Sequence, residues 1–469
     1  MRALMVQGAS SSAGKSLLAT ALARAFRRRG IDVVPFKAQN MSNNARVVRG
    51  GEIGTAQYMQ ALAAGAEPDV RMNPVLVKPE GDNGSQVIVL GRPDPVLSRL
   101  AWRARRDALW PVISEALGSL QAEHELVLLE GAGSPAEINL RDTDLANMRS
   151  AELADAAVLL ICDIDRGGAF AHLYGTWALL CDHERARLTG FVLNKFRGDE
   201  RLLPPAPERL RELTGVATLG VLPWLEHGLP DEDGAARPRQ VPGRPRVAVV
   251  RYPTASNLDE FKPLEQVAEL VWASSALELV GAALVVLPGS KHVAADLAWL
   301  RRSGIADAIS ARVTSGCRVL AICGGLQMLG ERLLDEAGID GSAPGLGLLP
   351  LRTRFQRDKT TRRTSSRFRE LPEPWSALSD LTLDGYEIRH GQSAPTRELP
   401  EALSGGLGYV SGPLLGIYLH GLFEQPPLLE ALLGARAADD LEQTFDALAD
   451  IVEERLDIAA LLEPVVGVR

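Results

Sequence analysis

The chain has 469 residues, 46% of them hydrophobic and 23% charged, a composition that predicts a soluble globular protein with two or more domains. Its net charge of −8 argues against a broad nucleic-acid-binding surface, so any site for an anionic substrate must be made positive locally. The four cysteines, Cys162, Cys181, Cys317 and Cys323, show neither metal-ligand spacing nor a disulfide framework. The opening residues carry no signal-peptide core, and no run of about 18 uncharged apolar residues predicts a membrane span. A reducing cytoplasm is the expected compartment.

Ala3 to Val6 reads as a buried strand, and Leu17, Leu18, Ala21, Leu22, Ala25 and Phe26 recur at helical spacing. Between them lies Gly8-Ala9-Ser10-Ser11-Ser12-Ala13-Gly14-Lys15-Ser16. Strand, glycine loop and helix are the setting of a P-loop. There, backbone N–H groups and the helix dipole cradle phosphates. Lys15 is placed to reach the outer phosphates and Ser16 to ligate magnesium. Five residues, not the usual four, separate Gly8 from Gly14.

Val33 to Lys37 predicts a second strand, whose end carries Lys37, Gln39, Asn40, Asn43 and Asn44. Ligands of open α/β sheets bind at such ends, so this is a candidate substrate loop, or else a polar turn. Lys78, in the polar-rimmed stretch from Met72 to Asp82, is a candidate to neutralise a substrate carboxylate, or a surface lysine. Leu126 to Gly133 reads as a strand ending in Glu130, placed as a magnesium-side carboxylate or as a structural acid. Ala156 to Cys162 is a strand followed by Asp163, Asp165 and Arg166, and Arg166 before two glycines suits phosphate or carboxylate. Phe191 to Lys195 ends in Asn194, a candidate base-reading amide, and Gly220 to Trp224 closes the series. The alternation predicts a mostly parallel, doubly wound sheet over residues 1–229. The charged, proline-rich stretch at 230–246 reads as a linker.

Residues 247–469 restart a sheet with Val247 to Val250. Leu284 to Leu287 leads into Pro288-Gly289-Ser290-Lys291. Val319 to Ile322 leads into Cys323-Gly324-Gly325, then a helical pattern. A thiol on such a turn projects from the sheet, as a serine does in a nucleophile elbow, and a helix N-terminus lowers a thiol pKa. Leu415 to Leu419 ends in His420, the candidate general base to Cys323. N–H groups near Gly289 and Gly324 are candidates for an oxyanion hole. Arg352 to Arg369, rich in Arg, Thr and Ser, reads as an exposed arm or loop.

The elbow Ile322-Cys323-Gly324-Gly325 with Gln327-Met328-Leu329-Gly330, and Tyr418-Leu419-His420-Gly421, resembles a class I glutamine amidotransferase domain. Pro288-Gly289-Ser290-Lys291 with Asp296-Leu297 and Trp299-Leu300-Arg301 narrows this to the cobyrinate amidotransferase group. The long loop is similar to the dethiobiotin synthetase variant of the P-loop. Phe36 to Ser42, Met72-Asn73-Pro74 through Asp82, Asp163 to Gly168 and Asn194 to Asp199 together resemble the cobyric acid synthases. The resemblance implies an α/β chain of two domains, a P-loop amide synthetase and a glutamine amidotransferase. It implies glutamine, ATP, magnesium and a corrinoid as reactants, and neither nucleic acid nor membrane as partner; the oligomeric state stays open.

The implied reaction releases ammonia from glutamine through a thioester on Cys323. ATP activates the b, d, e and g carboxylates of adenosylcobyrinic acid a,c-diamide as acyl phosphates. Lys37 and Arg166 are candidates to orient the acidic corrinoid. Many class I amidotransferases carry an acid two positions after the catalytic histidine. That position is Leu422 here, and the next acid is Glu424, so the resemblance implies a Cys–His dyad. Helper roles for Glu387, Asp163 and Asp165 stay open. A sister enzyme, cobyrinic acid a,c-diamide synthase, shares the two-domain plan, but the Gln39 to Ser42 and Met72 to Pro74 segments favour the cobyric acid enzymes. A partitioning-type ATPase would need neither Cys323 nor His420.

Overall fold

The structure is a computed structural model and describes residues 3–80, 84–225, 227–229, 243–436, 441–463 and 465. Most of the expected linker, 230–242, lies outside the described residues, as do Gly81 and Asp82.

Two sheets organise the chain. The first has six parallel strands in the order Thr218–Pro223, Leu188–Phe196, Ala157–Asp163, Ala3–Gly8, Leu126–Glu130, Val33–Phe36. Its inner strands are almost continuous apolar runs, as strands covered on both faces require. Val158 to Ile161, for example, are fully buried. Helix α1 (Lys15–Arg28) packs on one face through Leu18, Leu22 and Phe26. Helix α2 (Thr55–Ala64) lies beside it. The P-loop leaves the central strand Ala3–Gly8, next to which the strand order reverses, the usual ligand crevice of such sheets.

The second sheet has the order Glu269–Ala273, Arg246–Val250, Leu284–Leu287, Arg318–Ile322, Leu414–Ile417, Gly408–Ser411, Glu401–Leu403. Its first five strands are parallel, and the last two are joined by antiparallel pairings, so that only Gly408–Ser411 runs against the others. Adjacent strands Arg318–Ile322 and Leu414–Ile417 pair Ile322 with Ile417, so Cys323 and His420 emerge from the same end of the sheet.

Two expectations are corrected. Residues 352–369, read as an exposed arm or loop, are largely exposed but are a regular strand and not a loop. Leu351–Arg367 is a long strand paired antiparallel with Thr382–Pro395. Polar side chains cover most of its length because the ribbon, part of a separate four-stranded sheet, reaches the first unit, where Lys359 pairs with Glu52 and Arg363 donates to the Val47 carbonyl at 3.2 Å. The end of the chain does not stay with the second sheet either. Helix Leu441–Arg455 lays Phe445, Leu448, Ala449 and Val452 into the core beside α1. Arg24 meets Glu442 and Asp446, and Arg28 meets Asp446 and Asp450.

All four cysteines are free thiols. Cys181, His183 and Glu184 bring ligand atoms within 4.8 Å of one another. Glu184 already accepts from the Cys181 N–H at 2.9 Å and from Arg141, which makes this a helix cap. Among the described residues no helix is long and apolar enough to cross a membrane.

Candidate active site

The first constellation gathers at the carboxyl ends of the first sheet. A Cβ on Gly14 would fall 2.0 Å from the Asn194 amide nitrogen, and one on Gly8 2.7 Å from the Ser10 carbonyl. Both positions therefore demand glycine, and Gly14 also has a φ of +101°. Lys15 folds back along the loop and donates to the carbonyls of Ser10 (3.4 Å) and Gly133 (3.0 Å).

Glu130, 1% exposed, is the hub. Its Oε1 accepts from Ser16 Oγ at 2.8 Å and from Lys37 Nζ at 2.9 Å, and its Oε2 accepts from Gln60. A hydroxyl and a carboxylate in contact beside a loop of backbone amides are the hard oxygen donors magnesium takes. The residues present therefore fit a magnesium nucleotide.

The other polar residues of this end divide. Lys37 turns inward to Glu130 rather than outward as the candidate substrate loop required. Asn40 is buried and donates to Gln57 at 3.2 Å, while Gln39 is half-buried beside it. Asn194, expected to read a base, donates to the Ala13 carbonyl at 2.8 Å and buttresses the P-loop from below. Asp163 is met by Lys195 at 3.0 Å and by Arg166, largely exposed, at 3.4 Å. Asp165 faces Arg197 at 3.3 Å. Lys78 lies elsewhere: it is buried against Glu52 at 2.7 Å and looks toward the second sheet.

The second constellation centres on Cys323. Its φ of 52° and ψ of −105° are strained for a residue with a side chain. The strain places the thiol at the start of helix Gly324–Leu329, whose first N–H groups have no intrahelical acceptor. No side chain fits on the two glycines that follow: a Cβ on Gly325 would fall 2.2 Å from the Leu287 carbonyl. A Cβ on Gly289 would fall 2.9 Å from His420 Cε1.

His420 and Cys323 line the same cavity, and the thiol itself donates to the Ile388 carbonyl at 3.7 Å. Its Nδ1 lies 2.8 Å from Glu260 Oε1, and Glu260 Oε2 accepts the Gly421 N–H at 2.8 Å. The Tyr386 ring stacks on the imidazole at 5.2 Å. Burial alone would lower the His420 pKa, but the Glu260 carboxylate and the contact with Cys323 overcome it and push it up to about 10.

The dyad is thus a triad in geometry, with an acid 160 positions upstream of the histidine. Glu387 is not that acid, since it accepts from Arg362, Thr364 and Arg389. Neither is Glu424, which pairs with Arg46. Sequence reasoning missed Glu260 because Asn257-Leu258-Asp259-Glu260-Phe261 has the look of a solvated acidic turn; the buried Leu258–Phe261 turn is seen only in three dimensions.

Cys323 and His420 open on a cavity of about 80 Å³ that both units line. Lys78, Glu80 and Gln86 come from the first unit, Lys291 and Lys359 from the second. Lys78 and Lys359 both contact Glu52, and Lys291 donates to Gln86 at 2.6 Å. Burial lowers Lys291 to about 7 and Lys78 to about 8. Against its own burial, Glu52 is held down to about 2 by Lys359 and Lys78.

Comparison with known proteins agrees with this division. Residues 4–229 match the family described as the CobQ/CobB/MinD/ParA nucleotide binding domain. Residues 246–428 match the CobB/CobQ-like glutamine amidotransferase domain. The cobyric acid synthase of Paracidovorax citrulli (strain AAC00-1) is 56% identical, over 98% of this chain and 98% of its own. That of Variovorax paradoxus (strain S110) is 55% identical over the same shares. A nucleotide-binding unit joined to a glutamine amidotransferase makes this chain a glutamine-dependent amide ligase, and it belongs to the cobyric acid synthase family.

Proposed function

We propose that the chain forms adenosylcobyric acid by amidating the b, d, e and g carboxylates of adenosylcobyrinic acid a,c-diamide, with glutamine as nitrogen source and ATP as the activating reagent. One observation carries the reading: a P-loop built on Ser16 and Glu130 and a Cys323–His420–Glu260 array occupy one chain, in contact through a shared interface.

At the second site the Cys323 sulfur attacks the glutamine carboxamide carbon. N–H groups at Gly289 and Gly324 receive the developing oxyanion; removing one such donor typically costs about 3 kcal/mol of barrier. As the C–N bond breaks, His420 gives its proton to the departing ammonia, leaving a thioester on Cys323. His420 then takes a proton from the water that releases glutamate. Glu260 fixes the ring and stabilises its charged form throughout.

At the first site a carboxylate must be made electrophilic, and phosphorylation to an acyl phosphate supplies the leaving group that ammonia displaces. Magnesium, when bound, neutralises phosphate charge. Ser16 and Glu130 would hold it, Lys15 would reach the outer phosphates, and Lys37 keeps Glu130 oriented. Gln39 and Arg166 remain the groups with access to the corrinoid. Ammonia released at Cys323 enters a cavity that Lys78 and Lys291 also line.

Mass spectrometry of the corrinoid product, with ATP, magnesium and glutamine supplied, tests the proposal. Successive amidation of the a,c-diamide at b, d, e and g is expected. Amidation of only the a and c positions of the un-amidated acid would overturn it.

A further inference from the structure

Arg46 is a buried cation between the two units, 3% exposed. It sits on Ala45–Val48, a strand of the nucleotide-binding unit that forms a hairpin with Gly51–Gly54. Its guanidinium donates to Asp259 and to both oxygens of Glu424. Asp259 also accepts from the Thr55 hydroxyl at 3.1 Å, and the Leu258 N–H donates to Asn44 Oδ1 at 3.0 Å. Three side chains of one unit thus grip the Leu258–Phe261 turn of the other. The next residue on that turn is Glu260, which holds His420.

The remaining supports of His420 meet the same cation. The Arg46 guanidinium lies 5.3 Å from the centroid of the Tyr386 ring that stacks on the imidazole. Glu424 closes the short turn that follows Gly421. Thr55 opens α2, and Gln60 of α2 donates to Glu130. The grip on Asp259 is therefore anchored at the acid of the phosphate site.

We propose that Arg46 is a positioning residue of the glutamine-hydrolysing site, supplied by the nucleotide-binding unit, and that with Thr55 it makes Cys323–His420 chemistry depend on the docking of the two units. The electrostatics give the reason. Asp259 and Glu260 are neighbouring carboxylates, 4% and 0% exposed. Glu260 is partnered by His420, and a second buried carboxylate beside it is tolerable only with a cation of its own, which Arg46 supplies to Asp259. Without Arg46 the turn rotates Asp259 toward water and takes Glu260 off His420. The residues lining the Cys323 cavity do not include Arg46, so the loss falls on the chemical step and not on glutamine binding.

The inference rests on the proposed role of Cys323 and His420. Its test compares full-length Arg46→Met, Arg46→Lys and Thr55→Val. Glutamate release gives kcat and KM, and amide formation from ammonium chloride with ATP, magnesium and corrinoid is measured alongside. Arg46→Met is expected to lower kcat for glutamine hydrolysis at least about tenfold, the usual scale for an outer partner of a reacting group, with KM and the ammonia reaction within about threefold of the parent. Arg46→Lys should recover most of the loss. Thr55→Val, which keeps shape and charge, should lower the same kcat by about threefold, and it carries the test alone if Arg46→Met does not fold. An unchanged kcat, or an equal fall in both reactions, overturns the proposal. Failure of the underlying reading has a different signature: Cys323→Ala would go on hydrolysing glutamine.

Discussion

His420 Nδ1 and Glu260 Oε1 lie 2.8 Å apart, and both residues are closed to solvent. This contact ties the histidine to a turn 160 residues earlier and sets its charge. Glu260→Gln keeps the shape and one acceptor but removes the charge. Glutamine-dependent amidation should fall roughly 10²-fold, the scale of a displaced acid–base group, while the ammonia-dependent reaction stays within about twofold. Parallel assays with the two nitrogen sources check this.

The same contact predicts a pH profile. With its pKa pushed up to about 10, His420 stays protonated through neutrality. Glutamine hydrolysis should hold its rate from about pH 7 to 9 and decline toward pH 10 as the imidazolium loses its proton. Glu260→Gln should bring that alkaline limb down toward the ordinary histidine range. Because the folded value lies above the ordinary 6.5, protonation of His420 also favours the folded state. That contribution is full below about pH 6.5 and fades as pH rises toward 10. Rate measurements across this range on both proteins check the shift.

Much of this was legible in the residues, and the remainder was not for physical reasons. The strand ends at Gly8, Glu130, Cys323 and His420 follow from apolar runs that stop at glycines or polar groups, a local signal. Glu260 and Arg46 carry no local signal, because their roles come from burial against distant elements. Lys37 and Lys78 were legible as cations at strand ends, but not which acids, Glu130 and Glu52, they would face. The ribbon from Leu351 was hidden because only its first residues bury side chains in the pattern of a half-covered strand. The final helix was legible as a helix only; its partner, α1, lies at the other end of the sequence.

At the phosphate site, Glu130 is held by Ser16, Lys37 and Gln60. Glu130→Gln should raise the magnesium concentration for half-maximal ammonia-dependent turnover by about tenfold or more, since a charged oxygen ligand is lost. Lys15→Ala should remove amide formation with either nitrogen source. Magnesium titrations and endpoint assays decide both, and an unchanged magnesium response would make Glu130 a structural acid.

The C-terminal helix makes a stability prediction. Phe445 is fully buried against the α1 face of the first sheet. Phe445→Ala should cost about 3–5 kcal/mol. A lower urea midpoint for the first unit should report it, even though the residue follows the amidotransferase sheet in sequence.

The division of labour between the two sites is most directly tested by Cys323→Ala in the full chain, assayed for corrinoid amidation with glutamine and with ammonium chloride in parallel. The expected result is loss of the glutamine-dependent reaction with ammonia-dependent amidation retained within about twofold, because the P-loop site of Lys15, Ser16 and Glu130 does not contain the thiol. Loss of both reactions in a variant with parental folding, or retention of the glutamine-dependent one, would contradict it.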